Sequence, residues 1–394
     1  MRCHALALFA LTLACGRTPP AQVEPDAALS APVPSVSATL SPVPLLQRYP
    51  ALAARLTVLP IGRFPTPVHK AERLGQHLGM AKLYLKRDDL SDPDCGGSKT
   101  RKLAFLFGQA VRAGHKKVIT FGGVGSNHAL ATAHFASRAG LEVTLMLAPE
   151  TPSPDVRDHL LIERATGAEL ILMTSVSEAR LEADRLVRSS PPDRRPYVIA
   201  PGGSSPLGNL GYVNAAFELA RQVEQGQLPE PDVIYVAMGT MGTAVGLRIG
   251  LRAAGLKSRL IAVRASSTDA ASERKMVEMF VATVAYLRAL DPSFPALSLG
   301  AAQADIRHGY VGEGYARPTR KGREAMLVFR QYADIELDST YTAKAFAAVI
   351  DDAALLRDQV VLFWNTQGTA SKDLARATEG DLPAGFQPYL RAGL

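Results

Sequence analysis

The sequence predicts an α/β fold with mostly parallel sheets. From about residue 56 onward, short apolar runs typical of strands alternate with longer amphipathic stretches typical of helices. Such alternation is typical of parallel strands joined by helical crossovers. Glycine-rich turns follow several of the apolar runs, and ligands of such sheets bind at the carboxyl ends of the strands. We therefore look for function in those turns.

The predicted elements follow one another in chain order. Strands are predicted at residues 82–86, 117–121, 143–147, 169–173, 233–237, 260–264 and 360–363. Helices are predicted at residues 103–113, 129–139, 155–166, 212–224, 242–254, 322–331 and 344–357. The first of these helices places Leu103, Leu106, Phe107 and Ala110 on one apolar face, which is the pattern of a helix packed on a sheet.

Composition excludes several classes of protein. Of 394 residues, 47% are hydrophobic and 21% charged, so the chain can bury a large core and is not disordered as a whole. The net charge is +7, but the basic residues are scattered, and we expect no nucleic-acid partner. Three cysteines, Cys3, Cys15 and Cys95, form neither a disulfide framework nor a metal site, and we expect no metal.

The N-terminal segment has the layout of an export signal. Residues 1–14 combine an early arginine with an apolar run too short to span a bilayer. Residues 11–15 resemble the lipobox of bacterial lipoproteins, in which Cys15 is lipidated. Residues 15–46, rich in Pro, Ala and Ser, are typical of a flexible tether. We expect an exported protein, anchored to the membrane through Cys15 on the periplasmic face or otherwise periplasmic; the alternative is a buried N-terminal helix.

Two glycine-rich turns are candidates for anion binding. Gly239, Thr240, Met241, Gly242 and Thr243 follow one predicted strand and open a helix, where backbone N–H groups and the helix dipole favour an anion. By itself such a turn is a weak signal. Residues 122–128 form a second turn, which lacks the third glycine and the acidic partner of a dinucleotide site.

Lys99 is a candidate nucleophile. It lies in the sequence GGSKTRKL, where a loop becomes a helix. The helix dipole and the neighbouring Arg101 and Lys102 are expected to lower its pKa. A neutral amine is what Schiff-base chemistry requires. The alternative is an ordinary exposed lysine at a helix start.

Four motifs in one order resemble a known enzyme family. They are GGSKTRKL, FGGVGSNHALATA, PGGSSPLGNLGY and MGTMGTAVGL. Together they resemble pyridoxal-phosphate enzymes of the tryptophan-synthase-β type, in particular the group of D-cysteine desulfhydrase and 1-aminocyclopropane-1-carboxylate deaminase. The resemblance implies that Lys99 binds pyridoxal 5′-phosphate as a Schiff base and that Asn127 contacts the ring 3′-oxygen. It also implies that residues 239–243 hold the phosphate and that Ser126 contacts or acts on the substrate.

The same resemblance implies an architecture. Two domains are expected, each an open twisted sheet flanked by helices, with the cofactor between them. Residues 47–101 and 205–394 would form the large cofactor-binding domain, and residues 102–204 the small one. The resemblance also implies that the protein forms a homodimer.

Further site residues follow from the resemblance. Tyr315 and Tyr341 match two family tyrosines in position and separation, and a tyrosine near a leaving group can relay a proton. Thr366, after the strand at 360–363, matches the residue near the pyridine nitrogen. Without a carboxylate there, the ring is a weaker electron sink, which favours elimination over transamination. The alternative for either tyrosine is a packed aromatic residue.

The chain also departs from the family. Gly125 replaces the usual glutamine before the Ser–Asn pair, and Met241 replaces a customary glycine in the phosphate loop. Gln367 stands where the family has glycine, and residues 266–307 match nothing recognisable. These departures are why a non-catalytic, exported cofactor-binding protein stays open as an alternative.

The expected activity is a β-eliminating lyase that acts on a small, D-configured amino acid. Thr342 and Thr366 occupy positions at which the deaminase branch has a glutamate and a leucine. D-Cysteine would accordingly give pyruvate, ammonia and sulfide. The enzymatic alternatives are deamination of the cyclopropane amino acid and dehydration or racemisation of serine.

Overall fold

The computed structural model describes residues 43–300, 303–371, 374 and 377–390. The strands are β1 (Val68–Lys70), β2 (Leu83–Arg87), β3 (Lys117–Gly123), β4 (Glu142–Ala148), β5 (Glu169–Leu172), β6 (Tyr197–Ile199), β7 (Val233–Met238), β8 (Arg259–Arg264), β9 (Ile306–Arg307) and β10 (Val361–Asn365). The helices are α1 (Pro44–Arg48), α2 (Pro50–Arg55), α3 (Glu72–Leu78), α4 (Ser98–Arg112), α5 (Asn127–Arg138), α6 (Pro154–Ala165), α7 (Val176–Ser189), α8 (Pro206–Glu224), α9 (Gly242–Ala253), α10 (Glu273–Leu290), α11 (Arg320–Ala333), α12 (Thr342–Asp352) and α13 (Gln387–Leu390).

The strands form two sheets. One has six strands in the order β1-β2-β10-β7-β8-β9, and only its edge pair β1–β2 is antiparallel. The other has four parallel strands in the order β5-β4-β3-β6. Helices flank both sheets, so the predicted α/β class with mostly parallel strands is confirmed.

The central strand β7 shows why its sequence is apolar throughout. Every residue of VIYVAM is buried. Alternate side chains enter opposite layers: Val233 and Tyr235 pack with α11 and α12, whereas Ile234 and Val236 pack with α8 and α9. Burial on both faces removes the hydrophobic–polar alternation of a half-exposed strand. In the smaller sheet, α5 and α7 cover the two faces of β3 and β4 in the same way.

Several elements differ from the sequence-based expectation. Helix α4 begins at Ser98 rather than near residue 103, because its polar first turn is buried against the rest of the fold. Helix α7 was not predicted; among its fourteen residues only Ala179 and Ala183 are buried. Helix α10 lies in the stretch that matches nothing in the family.

The N-terminal predictions fall partly outside the described residues. The signal, Cys15 and most of the tether lie there. Residues 43–46 of the predicted tether belong to the folded body, since α1 starts at Pro44 and Leu45 is fully buried. Within the described part of the chain, no helix is both long and apolar enough to cross a bilayer.

The predicted division into two domains stays a prediction. The described residues of both sheets belong to one compact unit. Helix α4 runs without interruption through the predicted boundary at 101/102, whereas the boundary at 204/205 falls just before α8.

A buried ionic cluster joins the large sheet to its helices. Asp88, just after β2, accepts hydrogen bonds from Arg101 of α4, from Tyr212 Oη of α8 at 2.7 Å and from Trp364 Nε1 of β10 at 2.8 Å. Arg101 also donates to Glu218 of α8 at 2.9 Å. These side chains are all at most 5% exposed. The first turn of α4 is therefore fixed to two strands and one helix.

Glu218 carries the second anion of this cluster. It accepts from Arg101 and, at 2.6 Å, from Lys86 Nζ. Burial alone would raise the pKa of Glu218, but the charges of Arg101 and Lys86 outweigh it and hold the pKa at about 2. The carboxylate is therefore ionised near neutral pH.

We expect Glu218→Gln to lower the free energy of unfolding by about 3–5 kcal/mol, because it leaves two buried cations with one carboxylate. Glu169→Gln is the matched control: Glu169 pairs with Lys117 at 2.8 Å, but its side chain is 56% exposed. An exposed pair contributes at most about 1 kcal/mol. Urea unfolding of both variants measures the difference, and equal losses would contradict a special role for the cluster.

Candidate active site

The carboxyl ends of strands from both sheets border one cavity of about 860 Å³. Strands β3 and β4 reach it from the small sheet, and β7 and the residues after β10 from the large one. The structure brings every predicted site residue to its wall: Lys99, Ser126, Asn127, Gly239, Thr240, Met241, Gly242, Thr243, Tyr315, Tyr341 and Thr366. Their roles remain predictions, but their convergence is a structural fact.

Lys99 is the second residue of α4. Its Nζ donates to Ser98 Oγ at 2.8 Å, and no carboxylate among the described residues pairs with it. Burial lowers its pKa to about 8, while the negative charge of Asp338 acts in the opposite direction. Near neutral pH the amine is consequently neutral in a far larger fraction of molecules than an ordinary lysine is, although the ammonium form still predominates at pH 7.

The cause of that low pKa differs from the expectation. We expected Arg101 and Lys102 to be important, but Arg101 is neutralised by Asp88 and Glu218. Burial is the largest effect instead. Lys102 is itself depressed: burial and then Lys99 hold its pKa well below the ordinary value.

Lys102 and Ser204 also line the cavity, although the sequence analysis predicted neither as a site residue. Lys102 Nζ donates to the carbonyl of Gly202 at 3.1 Å and to Ser204 Oγ at 3.2 Å. Ser204 Oγ also lies 2.7 Å from Thr240 Oγ1 and accepts from Gly242 N–H. The spacing of Lys99 and Lys102, three residues apart on one helix, is a signal that could have indicated a shared face.

The loop at residues 239–243 is shaped for close approach to the backbone. Met241 adopts a left-handed conformation (φ 64°), which costs a non-glycine residue about 1–2 kcal/mol. A side chain on Gly242 would meet Asn209 Oδ1 at 2.4 Å, so only glycine fits there. Met241, although it replaces the family's glycine, therefore adopts the backbone conformation of the turn. Its side chain is buried, and α9 begins directly after it.

The turn before α5 presents hydroxyl and amide groups. Ser126 caps the helix, its Oγ accepting from the N–H groups of His128 and Ala129. Asn127 packs against Gly368, where an added side chain would lie 2.9 Å from Asn127 Cγ. His128 donates to or accepts from Thr120 Oγ1 at 2.9 Å, and burial, then Lys99, lowers its pKa well below the usual value. The imidazole is therefore neutral.

The two tyrosines form a pair. Tyr341 Oη donates to Tyr315 Oη at 2.9 Å. Burial, then Tyr315, raises the pKa of Tyr341 well above its usual value, so the pair is protonated and can donate. Asp338 fixes the backbone of this segment by accepting from Tyr341 N–H at 2.6 Å and Thr340 N–H at 3.1 Å. Asp338 was not singled out from the sequence.

Thr366 and Thr342 lie in different surroundings. Thr366 follows β10, lines the cavity, and accepts at its carbonyl from Ser98 N–H at 3.4 Å. Thr342 is fully buried in the first turn of α12, and its hydroxyl donates to Asp338 Oδ2 at 2.5 Å. Thr342 is not at the cavity wall, whereas the carboxylate of Asp338 is.

The chain matches the family described as pyridoxal-phosphate dependent enzyme over residues 60–367. It is 33% identical over 316 residues to D-cysteine desulfhydrase of Serratia proteamaculans, covering 77% of this chain and 91% of that protein. It is 34% identical over 319 residues to D-cysteine desulfhydrase of Klebsiella pneumoniae, covering 77% and 92%.

Solved structures show the same fold. A crystal structure described as an ACC deaminase homologue superposes with a TM-score of 0.69 at 27% identity, covering 87% of this chain and 98% of that one. Threonine deaminase isoform 2 of Solanum lycopersicum, at 17% identity and a TM-score of 0.54, shares the fold over 83% of both chains.

We expect the rate at which Lys99 captures pyridoxal phosphate to rise with pH, with a midpoint at about 8. Its pKa is lower than that of a free lysine, so the reactive neutral amine forms as the pH passes through that value. Asp338→Asn removes the charge that stabilises the ammonium form and should move the midpoint to lower pH. Stopped-flow absorbance of the apoprotein mixed with the aldehyde follows the rate.

Two controls accompany this measurement. Asp358→Asn, at an exposed position, should leave the midpoint unchanged. Lys99→Ala should yield no borohydride-trapped adduct, whereas Lys102→Ala should still yield one at saturating aldehyde. A midpoint of Asp338→Asn equal to that of the wild type would show that Asp338 does not act on the Lys99 amine.

Proposed function

The chain belongs to the pyridoxal-phosphate-dependent enzyme family, and on that premise we propose that it is a lyase that eliminates the β-substituent of a small D-amino acid, D-cysteine above all. The observation that carries the proposal is the placement of Lys99, the loop at 239–243 and the Tyr315–Tyr341 pair around one cavity. The 33–34% identity to D-cysteine desulfhydrases supports the choice of substrate.

The residues present fit pyridoxal 5′-phosphate. The phosphate is a dianion, and the hydroxyls of Thr240, Thr243 and Ser204 meet the N-terminus of α9 beside the amine of Lys102. Donors of this kind at a helix N-terminus bind phosphate. Lys99, with its low pKa, is suited to a covalent bond with the aldehyde. Asn127 and Thr366 would adjoin the ring, as the family resemblance implies.

The protein supplies proton transfer at the α-carbon. When bound, the cofactor withdraws electrons from the α-carbon of an attached amino acid. Lys99 Nζ, as a free amine, would accept the α-proton as a general base. A base with a pKa near the operating pH serves best in that role, and burial gives Lys99 such a value.

The tyrosine pair acts at the leaving group. As the Cβ–S bond breaks, its electron pair departs with sulfur as hydrosulfide, and a hydroxyl of the tyrosine pair donates the proton that converts hydrosulfide to hydrogen sulfide. Because Tyr341 Oη already donates to Tyr315 Oη, the free proton of the pair is that of Tyr315. Addition of one water to the remaining fragment gives pyruvate and ammonia, which balances the reaction.

The start of α5 orients the substrate. Ser126 and Asn127 offer a hydroxyl, an amide side chain and the positive end of the helix dipole at the cavity wall. These groups suit the α-carboxylate of an amino acid. A fixed carboxylate would hold the α-hydrogen in one orientation relative to Lys99, which is how such a site would select one enantiomer.

Thr243→Asp should weaken cofactor binding by about a hundredfold or more, because it places a carboxylate beside the phosphate. Thr243→Val, which keeps the shape and removes only the hydroxyl, should weaken it by about tenfold. Equilibrium titration of the apoproteins, followed by cofactor absorbance, gives both constants. Unchanged affinity in Thr243→Asp would mean that the loop is merely a turn.

We expect D-cysteine to give pyruvate, ammonia and sulfide in equal amounts, with little 2-oxobutanoate from 1-aminocyclopropane-1-carboxylate. Opening the cyclopropane ring removes no α-proton, so the base provided by Lys99 does not serve it directly. Product assays over D- and L-cysteine, D- and L-serine and the cyclopropane acid discriminate the candidates. Turnover of the cyclopropane acid with D-cysteine inert would favour the deaminase activity, and inertness toward all would favour a non-catalytic binding protein.

Location and assembly rest on the sequence alone. We propose export, with lipidation of Cys15 after removal of residues 1–14, and a homodimer as the assembly in solution. The lipobox-like residues 11–15 and the Pro/Ala/Ser-rich segment support export, and the family resemblance supports the dimer.

Cys15→Ser should release the protein from the membrane fraction, because the lipid attached at that cysteine would be its anchor. Cell fractionation followed by N-terminal sequencing of the wild type and the variant checks this. A wild-type protein found in the cytoplasm with Met1 still attached would exclude export.

A further inference from the structure

Glu150 lies on the turn that the proposed function assigns to the substrate carboxylate. It follows β4, and its Oε2 accepts from Gly125 N–H at 3.2 Å. A side chain added to Gly123 would lie 1.7 Å from Glu150 Oε1, so the carboxyl rests directly on the glycine backbone of the turn. Gly125, one of the departures from the family pattern, thereby acquires a partner within the chain.

The hydrogen bonds of the backbone amides show which donor of this turn Glu150 occupies and which donor is free. Val124 N–H donates to Ala148 O, and Ser126 N–H donates to Gly123 O, both at 3.0 Å. Gly125 N–H is taken by Glu150. Within the described part of the chain, Asn127 N–H has no acceptor, and it lies at the cavity wall beside the Ser126 hydroxyl. The carboxyl of Glu150 therefore occupies one backbone donor of a small anion-binding turn, and the Asn127 amide is the donor that it leaves available.

No cation compensates Glu150 among the residues that the structure describes. From α6, His159 and Glu163 approach the same turn; Glu163 is fully buried with neither carboxyl oxygen hydrogen-bonded. Tyr315, Tyr341 and, from α13, Tyr389 are the other titratable groups near it. Burial raises the pKa of Glu150, and the hydrogen bond from Gly125 only partly opposes this.

From this arrangement we infer that Glu150 determines whether a carboxylate enters the site, since its own carboxyl closes the anion-binding turn at the start of α5. Protonated, it donates its O–H to the substrate carboxylate and completes the turn. Ionised, it places a second anion beside the first and repels it. Glu150 is thus a specificity residue, and the inference rests on the proposed function because it assumes that the ligand is an amino acid.

The direction of the pH effect follows from this assignment. The carboxylate form of Glu150 grows as pH rises, so amino-acid affinity should fall with rising pH. Glu150→Gln keeps the size of the side chain, can still accept from Gly125 N–H, and has no charge at any pH. In that variant the loss of amino-acid affinity caused by ionisation of Glu150 should disappear.

The test uses the cofactor-loaded protein and D-alanine, which carries the carboxylate but no leaving group. Its dissociation constant is read from the visible absorbance of the bound cofactor between about pH 4.5, the ordinary pKa of a glutamate carboxyl, and about pH 8. We expect the ratio of the wild-type constant to that of Glu150→Gln to rise at least tenfold across this range, at up to about tenfold per pH unit. Titration of the ligand amine and of Lys99 cancels in that ratio.

Two controls fix the interpretation. Asp269→Asn removes another cavity carboxylate that touches none of these amides, and its constant should keep the wild-type pH profile. D-Alaninamide, which lacks the carboxylate, should bind wild type and Glu150→Gln with parallel profiles. Parallel profiles for D-alanine itself would overturn the role of Glu150. If neither alanine enantiomer changes the spectrum of the loaded protein, the proposed function is overturned, and the inference with it.

Discussion

The ionic cluster of Asp88, Arg101 and Glu218 is the constraint on which the geometry of the site depends. Among the described residues, the Lys99 amine hydrogen-bonds only its neighbour Ser98. What holds it in place is Arg101, two residues further along α4, whose guanidinium is shared between carboxylates from β2 and α8. Asp88 also accepts a hydrogen bond from the indole of Trp364 in β10. Strand β10, which leads to Thr366, is therefore fixed to the same carboxylate. A reactive lysine can thus stay unpaired because its helix is fixed elsewhere.

The electrostatics of the cavity follow from that separation of tasks. Arg101 forms its ion pairs within the cluster. Lys99, Lys102 and His128, in contrast, have no carboxylate partners among the described residues. Burial lowers the pKa of all three. A phosphate dianion bound in such a site would raise the pKa of these nitrogen bases and so favour their cationic forms. Attraction to those cations would stabilise the bound phosphate, although these nitrogens have no ion pair with a described residue before it binds.

Sequence patterns predicted the fold class, most strands to within two residues, and eleven residues that lie at the cavity wall. Those successes rest on hydrophobic periodicity and on motifs that are contiguous in the chain. The start of α4 was placed too late because residues 98–102 are polar and their burial depends on distant partners. Glu150 and Ser204 were missed for the same reason: each contacts a turn from another part of the sequence. Asp338 hydrogen-bonds its own segment, but its effect on Lys99 crosses the fold, and no local pattern marks it. Helix α7 is so exposed that its apolar stripe is too narrow to detect.

The order of strands in the large sheet has a consequence for how the chain is made. The last strand to be synthesised, β10, lies between β2 and β7, which precede it by many residues. A nascent chain can pair β1 with β2 but cannot join that pair to β7 until residues 361–365 have left the ribosome, and contacts of such long sequence separation form slowly. The newly made protein therefore spends its synthesis with the central sheet open. For a chain proposed to cross a membrane, that delay keeps it in a form that can still be threaded, and any truncation before β10 removes the middle of the sheet rather than its edge.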